Sequence, residues 1–253
     1  MPRLGDEAGA AGFSLVTLET VDSTNRLALD LAEQAGANKT WVLAETQRAG
    51  RGRHGRDWVS PPGNFYGSLL LVSPCPVEDS PKLGFVAGVA VAEVLKKLAP
   101  GHNVCLKWPN DILVGGRKLA GILLEGRIIS KSRQAIAIGI GINVRVAPLA
   151  AGAAVSLAEL GVTADRREIF RQLSNVMTRW IATFAKGQGF YAVRQAWADH
   201  GLKPGTAISV KLPSGEKQGR FAGIDERGRL ILSGPEGQTT IEAGDVFLTA
   251  EEH

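Results

Sequence analysis

Four arginines (Arg48, Arg51, Arg53, Arg56) and four glycines (Gly50, Gly52, Gly55, Gly63) fall between Gln47 and Tyr66, in the run Q-R-A-G-R-G-R-H-G-R-D-W-V-S-P-P-G-N-F-Y. Glycine permits positive φ and close backbone approach, and Pro61-Pro62 withdraws two donors, so neither helix nor strand suits this stretch. It reads as a long loop, and loops of this length in compact chains are functional or disordered. Guanidinium forks alternating with bare backbone N–H groups match a carboxylate or a phosphate. The run is a near miss to a phosphate loop: Gly50 and Gly55 bracket four residues, but Arg56-Asp57 stand where Lys and Ser or Thr are required. A bland alternative is an arginine–glycine segment that touches RNA. Such segments are repetitive, whereas this one is single and contains Trp58.

Three further clusters could carry chemistry. Lys107-Trp108-Pro109-Asn110-Asp111 places a cation and a carboxylate at one turn. Asp111 suits Mg²⁺, which takes one or two carboxylates plus phosphates; the competing reading is a type I turn satisfying its own backbone. Arg117-Lys118-Leu119-Ala120-Gly121 puts two cations on opposite faces of a strand, one of them buried or aimed at a ligand. The alternative is a pair of edge charges that discourage aggregation. Gly139-Ile140-Gly141-Ile142-Asn143 lacks the third glycine of a dinucleotide fingerprint, since position 144 is valine. It reads as a strand whose glycines clear space for a ligand, with Asn143 as an amide at its end. The four histidines are scattered, and no Ser–His–Asp set is apparent. Chemistry by cationic stabilisation of phosphate is the better fit.

The elements that must position these residues can be read in order. Residues 1–12 look like a frayed tail, and Phe13–Thr20 a first strand. Asp22-Ser23-Thr24-Asn25 opens a helix with Leu27, Ala28, Leu31 and Ala35 at helical spacing and Gly36 as its stop. Its polar start offers hydroxyls and free N–H groups to a ligand, or Asp22 or Ser23 is simply an N-cap. Trp41–Glu45 leads as a strand into the arginine loop and Asn64–Val72 leads out. Pro81–Ala99 reads as a helix with Lys96 and Lys97 suited to its C-terminal dipole. Val104–Trp108 is a strand; Ile112–Val114 and Arg117–Glu125 form a hairpin across Gly115-Gly116. Gln134–Val144 is a central, nearly all-apolar strand. Asp165–Ala185 and Phe190–His200 are helices. Gly201–Gly205 is a linker, and five short β-runs with turns follow, at Ile208–Leu212, Gly219–Ile224, Leu230–Leu232, Thr239–Ile241 and Val246–Thr249. They make a small β-barrel of about fifty residues.

The chain has 253 residues, enough for one large domain and one small one, so the expected division is 13–200 and 204–250. With 29 Lys+Arg against 25 Asp+Glu the net charge is +4, which suits a small anionic ligand and falls short of a nucleic-acid coat. Two cysteines without C-x-x-C spacing argue against structural zinc and a disulfide framework. No stretch approaches the roughly 18–20 apolar residues of a membrane span, and the N-terminus has no apolar leader. A reduced, cytoplasmic setting is expected.

Taken together, S-T-N at Ser23–Asn25, G-R-G-R-x-G at Gly50–Gly55, K-W-P-N-D at Lys107–Asp111, R-K-L-A-G at Arg117–Gly121 and G-I-G-I-N at Gly139–Asn143 resemble the biotin–protein ligase family, in its short form without a DNA-binding domain. The resemblance spans about residues 15–250 in order. It implies an α+β fold: a mixed sheet flanked by helices, similar to class II synthetases, then a small C-terminal β-barrel. It implies that biotin's carboxylate attacks the α-phosphate of Mg·ATP, releasing pyrophosphate, and that biotin then passes from biotinyl-5′-AMP to a lysine of a biotin carboxyl carrier domain. By the same resemblance the biotin site comprises Ser23, Thr24, Asn25, Gln47, Gly50, Arg51, Gly52, Arg53, Lys118 and Gly121. Arg53 and Lys118 would act on the reacting groups. Arg51, Arg53, Trp58, Lys107, Asn110 and Asn143 would face ATP or the adenylate, and Asp111 the Mg²⁺ ion. The loop would be mobile when empty and order over biotin. His54 departs from the family, where Arg or Leu is usual. A start near Phe13 leaves no room for a helix-turn-helix, so DNA is not an expected partner, whereas a homodimer through a sheet edge fits the family. Lipoate–protein ligase, a nucleic-acid-binding protein and an ATP-independent biotin module are the competing readings.

Overall fold

The computed structural model describes residues 1–34, 36–148 and 153–249, built on two β-sheets. The described helices are α1 (Asp6–Ala10), α2 (Thr24–Leu31), α3 (Leu83–Leu98), α4 (Arg166–Phe184) and α5 (Phe190–His200). The first sheet contains β1 (Ser14–Val21), β2 (Thr40–Gln47), β3 (Phe65–Val72), β4 (Val104–Lys107), β5 (Asp111–Val114), β6 (Arg117–Ser130) and β7 (Arg133–Ile142). Their spatial order is β1-β2-β3-β7-β6-β5-β4. β1 and β2 are parallel, joined by the α2 crossover that a parallel pair requires, and the other neighbours are antiparallel. This is the mixed sheet expected.

Alternation along the central strands separates two layers. Trp41, Leu43, Leu69, Leu71, Ile136 and Ile138 join the core under α3, α4 and α5. Val42, Leu70, Ala135 and Ala137 face the other way, against Ala28, Leu29 and Ala32 of α2. α3 is apolar almost all round, which suits a helix sandwiched between the sheet and two other helices. Each fully buried Val or Leu there contributes about 1.5–3 kcal/mol.

The second sheet holds β8 (Ala207–Leu212), β9 (Gly215–Ile224), β10 (Leu230–Gly234), β11 (Gly237–Ile241) and β12 (Asp245–Leu248). It is antiparallel, in the order β11-β10-β9-β8-β12. The Trp108 indole N–H donates to the Gly228 carbonyl at 2.9 Å, and Trp197 packs against Phe221 with ring centres 6.2 Å apart. These contacts fix the small sheet beside the large one.

Some local expectations needed correction. Residues 1–12 are not a frayed tail: Ala8 of α1 is buried, the Gly5 N–H donates to Ser174 Oγ at 2.9 Å, and Glu7 pairs with Arg179 at 2.8 Å. Small residues let this short helix sit directly on α4. Pro81 belongs to a 3₁₀ turn, Val77–Lys82, that leads into α3 rather than to α3 itself. β6 continues to Ser130, beyond Glu125. Ala35, expected at the end of the first long helix, and Ala250, expected as the end of the small domain, lie outside the described residues.

Candidate active site

Register builds the floor of the site. Asp111 of β5 faces Gly121 of β6, which faces Gly141 of β7, which faces Tyr66 of β3. One row along, Leu123 faces Gly139, which faces Ser68. Gly139 and Gly141 continue the face that Ala135 and Ala137 present to α2, so large side chains stop where α2 stops. A cavity of about 450 Å³ opens there. The glycines hold it open in a literal sense. A Cβ on Gly139 would lie 2.5 Å from Asn25 Oδ1, and one on Gly141 2.6 Å from the Trp58 ring. Burial pushes the Tyr66 phenol up to about 12, against the Asn64 side chain and the Arg166 charge, which pull it down, so it stays neutral; it donates to the Pro61 carbonyl at 2.8 Å and braces the loop's exit.

The start of α2 forms one wall. Ser23 Oγ caps the helix by accepting from Arg26 N at 3.4 Å, and Ser23 also lines the cavity, so the capping and ligand readings coexist. The Thr24 N–H donates to Gln47 Oε1 at 2.9 Å. Ser68 Oγ donates to Asn25 Oδ1 at 2.6 Å and lies 2.7 Å from Thr24 Oγ1. Asn25 Nδ2 donates to Glu125 Oε2 at 2.8 Å. Ser68 and Glu125 hold Thr24 and Asn25 in place from behind the cavity wall, and motif reading missed both. Both follow from period 2: Ser68 is the one serine in a largely apolar strand, and Glu125 shares the face of Gly121 and Leu123.

The cationic wall depends on a β-bulge. Ile112 pairs with Ala120 but Leu113 pairs with Lys118, leaving Leu119 as the extra residue on β6. The bulge turns Lys118 to the same side as Gly121, which regular alternation would forbid. Lys118 Nζ then sits 2.5 Å from Asp111 Oδ1, and Lys107 Nζ 3.1 Å from Asp111 Oδ2. Burial alone would push the Asp111 carboxyl up, but the Lys118 and Lys107 ammoniums outweigh it and hold the group below its ordinary value. Lys118 also lies 5.3 Å from the Trp58 ring centre, within cation–π range. The Trp58 indole N–H is buried without a partner among the described residues.

The arginine loop lies over this wall as a narrow antiparallel hairpin, with bridges Gln47–Ser60 and Arg51–Asp57 and a 3₁₀ turn at Arg53–Gly55. Gly50 must be glycine here, because a Cβ would meet the Trp58 carbonyl at 2.4 Å. Gly52 donates its N–H to the Arg56 carbonyl at 2.6 Å, closing the tip. His54 takes φ +55°, a left-handed conformation that His tolerates better than branched residues, which suits its place at the tip. Arg51 reaches Glu125 at 2.9 Å. Arg53 Nη1 donates to Asn110 Oδ1 and Asp245 Oδ1, both at 3.3 Å, and Asn110 Nδ2 donates to the Ile122 carbonyl at 2.7 Å. Burial lowers the proton affinity of Arg53 and Asp245 opposes that effect.

Most of the residues singled out by sequence thus meet in one cavity. Asn143 does not. It is 2 % exposed, and its amide donates to the carbonyls of Val155 (3.3 Å) and Lys118 (3.4 Å). It stitches the strand that carries Lys118 instead of lining the cavity. Among the described residues, no three His, Cys, Asp or Glu side chains gather as a metal site. Among the described residues, no helix is long and apolar enough to cross a membrane.

Comparison with known proteins agrees with this geometry. Residues 17–143 match the profile of the biotin/lipoate A/B protein ligase family, and residues 205–249 that of the biotin protein ligase C-terminal domain. A biotin--[acetyl-CoA-carboxylase] ligase from Paracoccus denitrificans is 40% identical, over 91% of this chain and 98% of the relative. Its namesake from Mycobacterium tuberculosis is 34% identical, over 96% and 93%. Among solved structures, a biotin protein ligase from Aquifex aeolicus in complex with biotin and ATP superimposes with a TM-score of 0.77, at 30% identity, over 93% of this chain and 98% of that one. With both domains matched and relatives this similar along nearly the whole length, the chain belongs to the biotin–protein ligase family.

Proposed function

We propose that this chain activates biotin with ATP and transfers it to a lysine of a biotin carboxyl carrier domain, as an ATP-dependent ligase. The observation that carries the reading is the placement of Lys118 and Lys107 around Asp111, at the end of a glycine floor and under the arginine loop. Biotin's fused rings fit the pocket bounded by Ser23, Thr24, Asn25, Gln47 and the backbone of Gly139. Its polar network supplies both donors and acceptors to a ureido group. The carboxylate then points toward Lys118 and the loop.

In the first step a biotin carboxylate oxygen bonds to the α-phosphorus, and the bond to the bridging oxygen of pyrophosphate breaks. Two anions must approach each other. Lys118, Lys107 and Arg53 offset that repulsion and stabilise the charge that builds on the phosphoryl oxygens. Trp58 offers a ring face and an unpartnered N–H on the adenylate side. In the second step the acceptor lysine's amine bonds to the acyl carbon, AMP leaves with the bonding pair, and the amine gives up a proton. The loop over the cavity keeps water from the mixed anhydride.

Mg²⁺ fits as an ion that arrives with the triphosphate. Asp111, one carboxylate held by Lys118 and Lys107, would supply a protein ligand beside the triphosphate oxygens. Bound there, the ion would withdraw charge from the pyrophosphate leaving group.

We also propose the division into a catalytic unit, 13–200, and a small β unit, 204–250, a cytoplasmic setting, and self-association through the free edge of β1, which pairs with β2 alone among the described strands. The test is incubation with biotin, ATP and an isolated carrier domain. A mass increase of one biotin on a single lysine, dependent on ATP, is the expected result; an unmodified carrier overturns the reading.

A further inference from the structure

We infer that Asp245, on β12 of the second sheet, is a positioning residue for the arginine loop, and that through it the small sheet sets how long the anionic intermediate is retained. This rests on the adenylation proposed above. Asp245 lies 192 residues downstream of Arg53 and outside every motif of the catalytic sheet. Its Oδ1 accepts from Arg53 Nη1 at 3.3 Å. Both its oxygens accept from Arg56 Nη2 at 2.9 Å. His54 Nε2 lies 4.0 Å away.

The neighbours of Asp245 add to the same hold. The Gly244 carbonyl accepts from Arg53 Nη2 at 3.1 Å, and the Val246 carbonyl accepts from Lys107 Nζ at 2.9 Å. Three consecutive residues, Gly244 and the first two of β12, therefore grip two loop cations and the lysine at the end of β4. One carboxylate between two guanidiniums leaves a net positive charge at the cavity, where Arg53 and Arg56 both line the wall. Without Asp245 the two arginines repel each other and are free to turn into solvent. The Arg53 and Asp245 side chains are 20% and 26% exposed, so solvent screens this pairing less than it screens a surface pair.

An ordinary inter-sheet ion pair would affect stability alone. A positioning role makes two further demands: the loop must loosen in the free protein, and the adenylate, with its phosphate, must be lost more readily than biotin. The variants are Asp245→Asn, Asp245→Glu and, as a control, Asp225→Asn. Asp225 pairs with Arg229 at 2.7 Å in the turn that joins β9 to β10. In the ligand-free protein, trypsin cleavage after Arg51, Arg53 or Arg56 is expected to be several-fold faster in Asp245→Asn. Release of preformed biotinyl-adenylate is expected to be about tenfold faster, the scale of one lost hydrogen bond to a charged group, with a smaller loss of biotin affinity. Asp245→Glu restores most of both. Asp225→Asn lowers the melting temperature and leaves retention and cleavage as in wild type. Wild-type loop protection and retention in Asp245→Asn overturn the inference, as does an Asp225→Asn variant that matches Asp245→Asn in both. A wild-type protein that makes no adenylate overturns the proposed function instead. The cleavage comparison then still decides whether Asp245 positions the loop.

Discussion

Lys118 reaches Asp111 across the hairpin, Nζ to Oδ1 at 2.5 Å, because a single extra residue at Leu119 turns it to the cavity side of β6. The ammonium is thus held between the half-buried Asp111 carboxylate and the Trp58 face, and the adenylation proposed above places the reacting phosphate beside it. Lys118→Ala is expected to slow adenylate formation by about 10²–10³-fold, the scale of one preorganised charge partner in a transition state. Affinity for ATP should change far less. Quenched-flow measurement of the adenylate burst separates the two; a normal burst rate contradicts the role.

Asp111 links stability to pH. Its folded-state value lies below its ordinary one, because Lys118 and Lys107 together outweigh burial. Its contribution is therefore complete above the unfolded value, about pH 4, and is lost as pH falls through the lower folded value. Asp111→Asn strands two lysines and is expected to cost about 3 kcal/mol at neutral pH. Urea unfolding at pH 7 and pH 3 should show the gap between wild type and variant narrowing in acid. An equal gap at both would contradict the pairing.

Gly139→Ala tests the glycine floor. The new Cβ would fall 2.5 Å from Asn25 Oδ1, and Asn25 cannot simply yield because Ser68 and Glu125 hold both ends of its amide. Biotin affinity by calorimetry is expected to drop at least about tenfold, since a displaced buried amide costs 1–3 kcal/mol, while circular dichroism stays native. Unchanged affinity would remove Asn25 from the biotin wall.

The central strands, both sheets and most of the cavity were legible because period-2 alternation and glycine placement are local signals. The frayed-tail reading of residues 1–12 failed for the opposite reason. Ala8 is buried by α4, a partner far along the chain that local composition does not reveal. The bulge at Leu119 was equally hidden. Arg117 and Lys118 promised opposite faces, but only register decides which residue is left unpaired. Asn143 was read as a ligand amide from its place at a strand end, where the structure uses it to satisfy two buried carbonyls. Asp245 carried no signal, since an acid in a small β domain looks like any surface charge until the domain folds back on the loop.

Arg53→Gly removes the guanidinium that bridges Asn110, Gly244 and Asp245 at the cavity mouth. Adenylate should still form but escape, so that a bystander protein without a carrier motif acquires biotin on scattered lysines. Streptavidin blotting of such a mixture reads this directly. Labelling confined to the carrier domain contradicts the assignment.

Biotin-dependent exchange of labelled pyrophosphate into ATP, run with Mg²⁺ and with lipoate in parallel, tests the central claim most directly. It reports the first half-reaction without needing the acceptor. Exchange with biotin and none with lipoate is the expected result. Exchange with lipoate alone, or with neither acid, would contradict the assignment of this cavity to biotin activation.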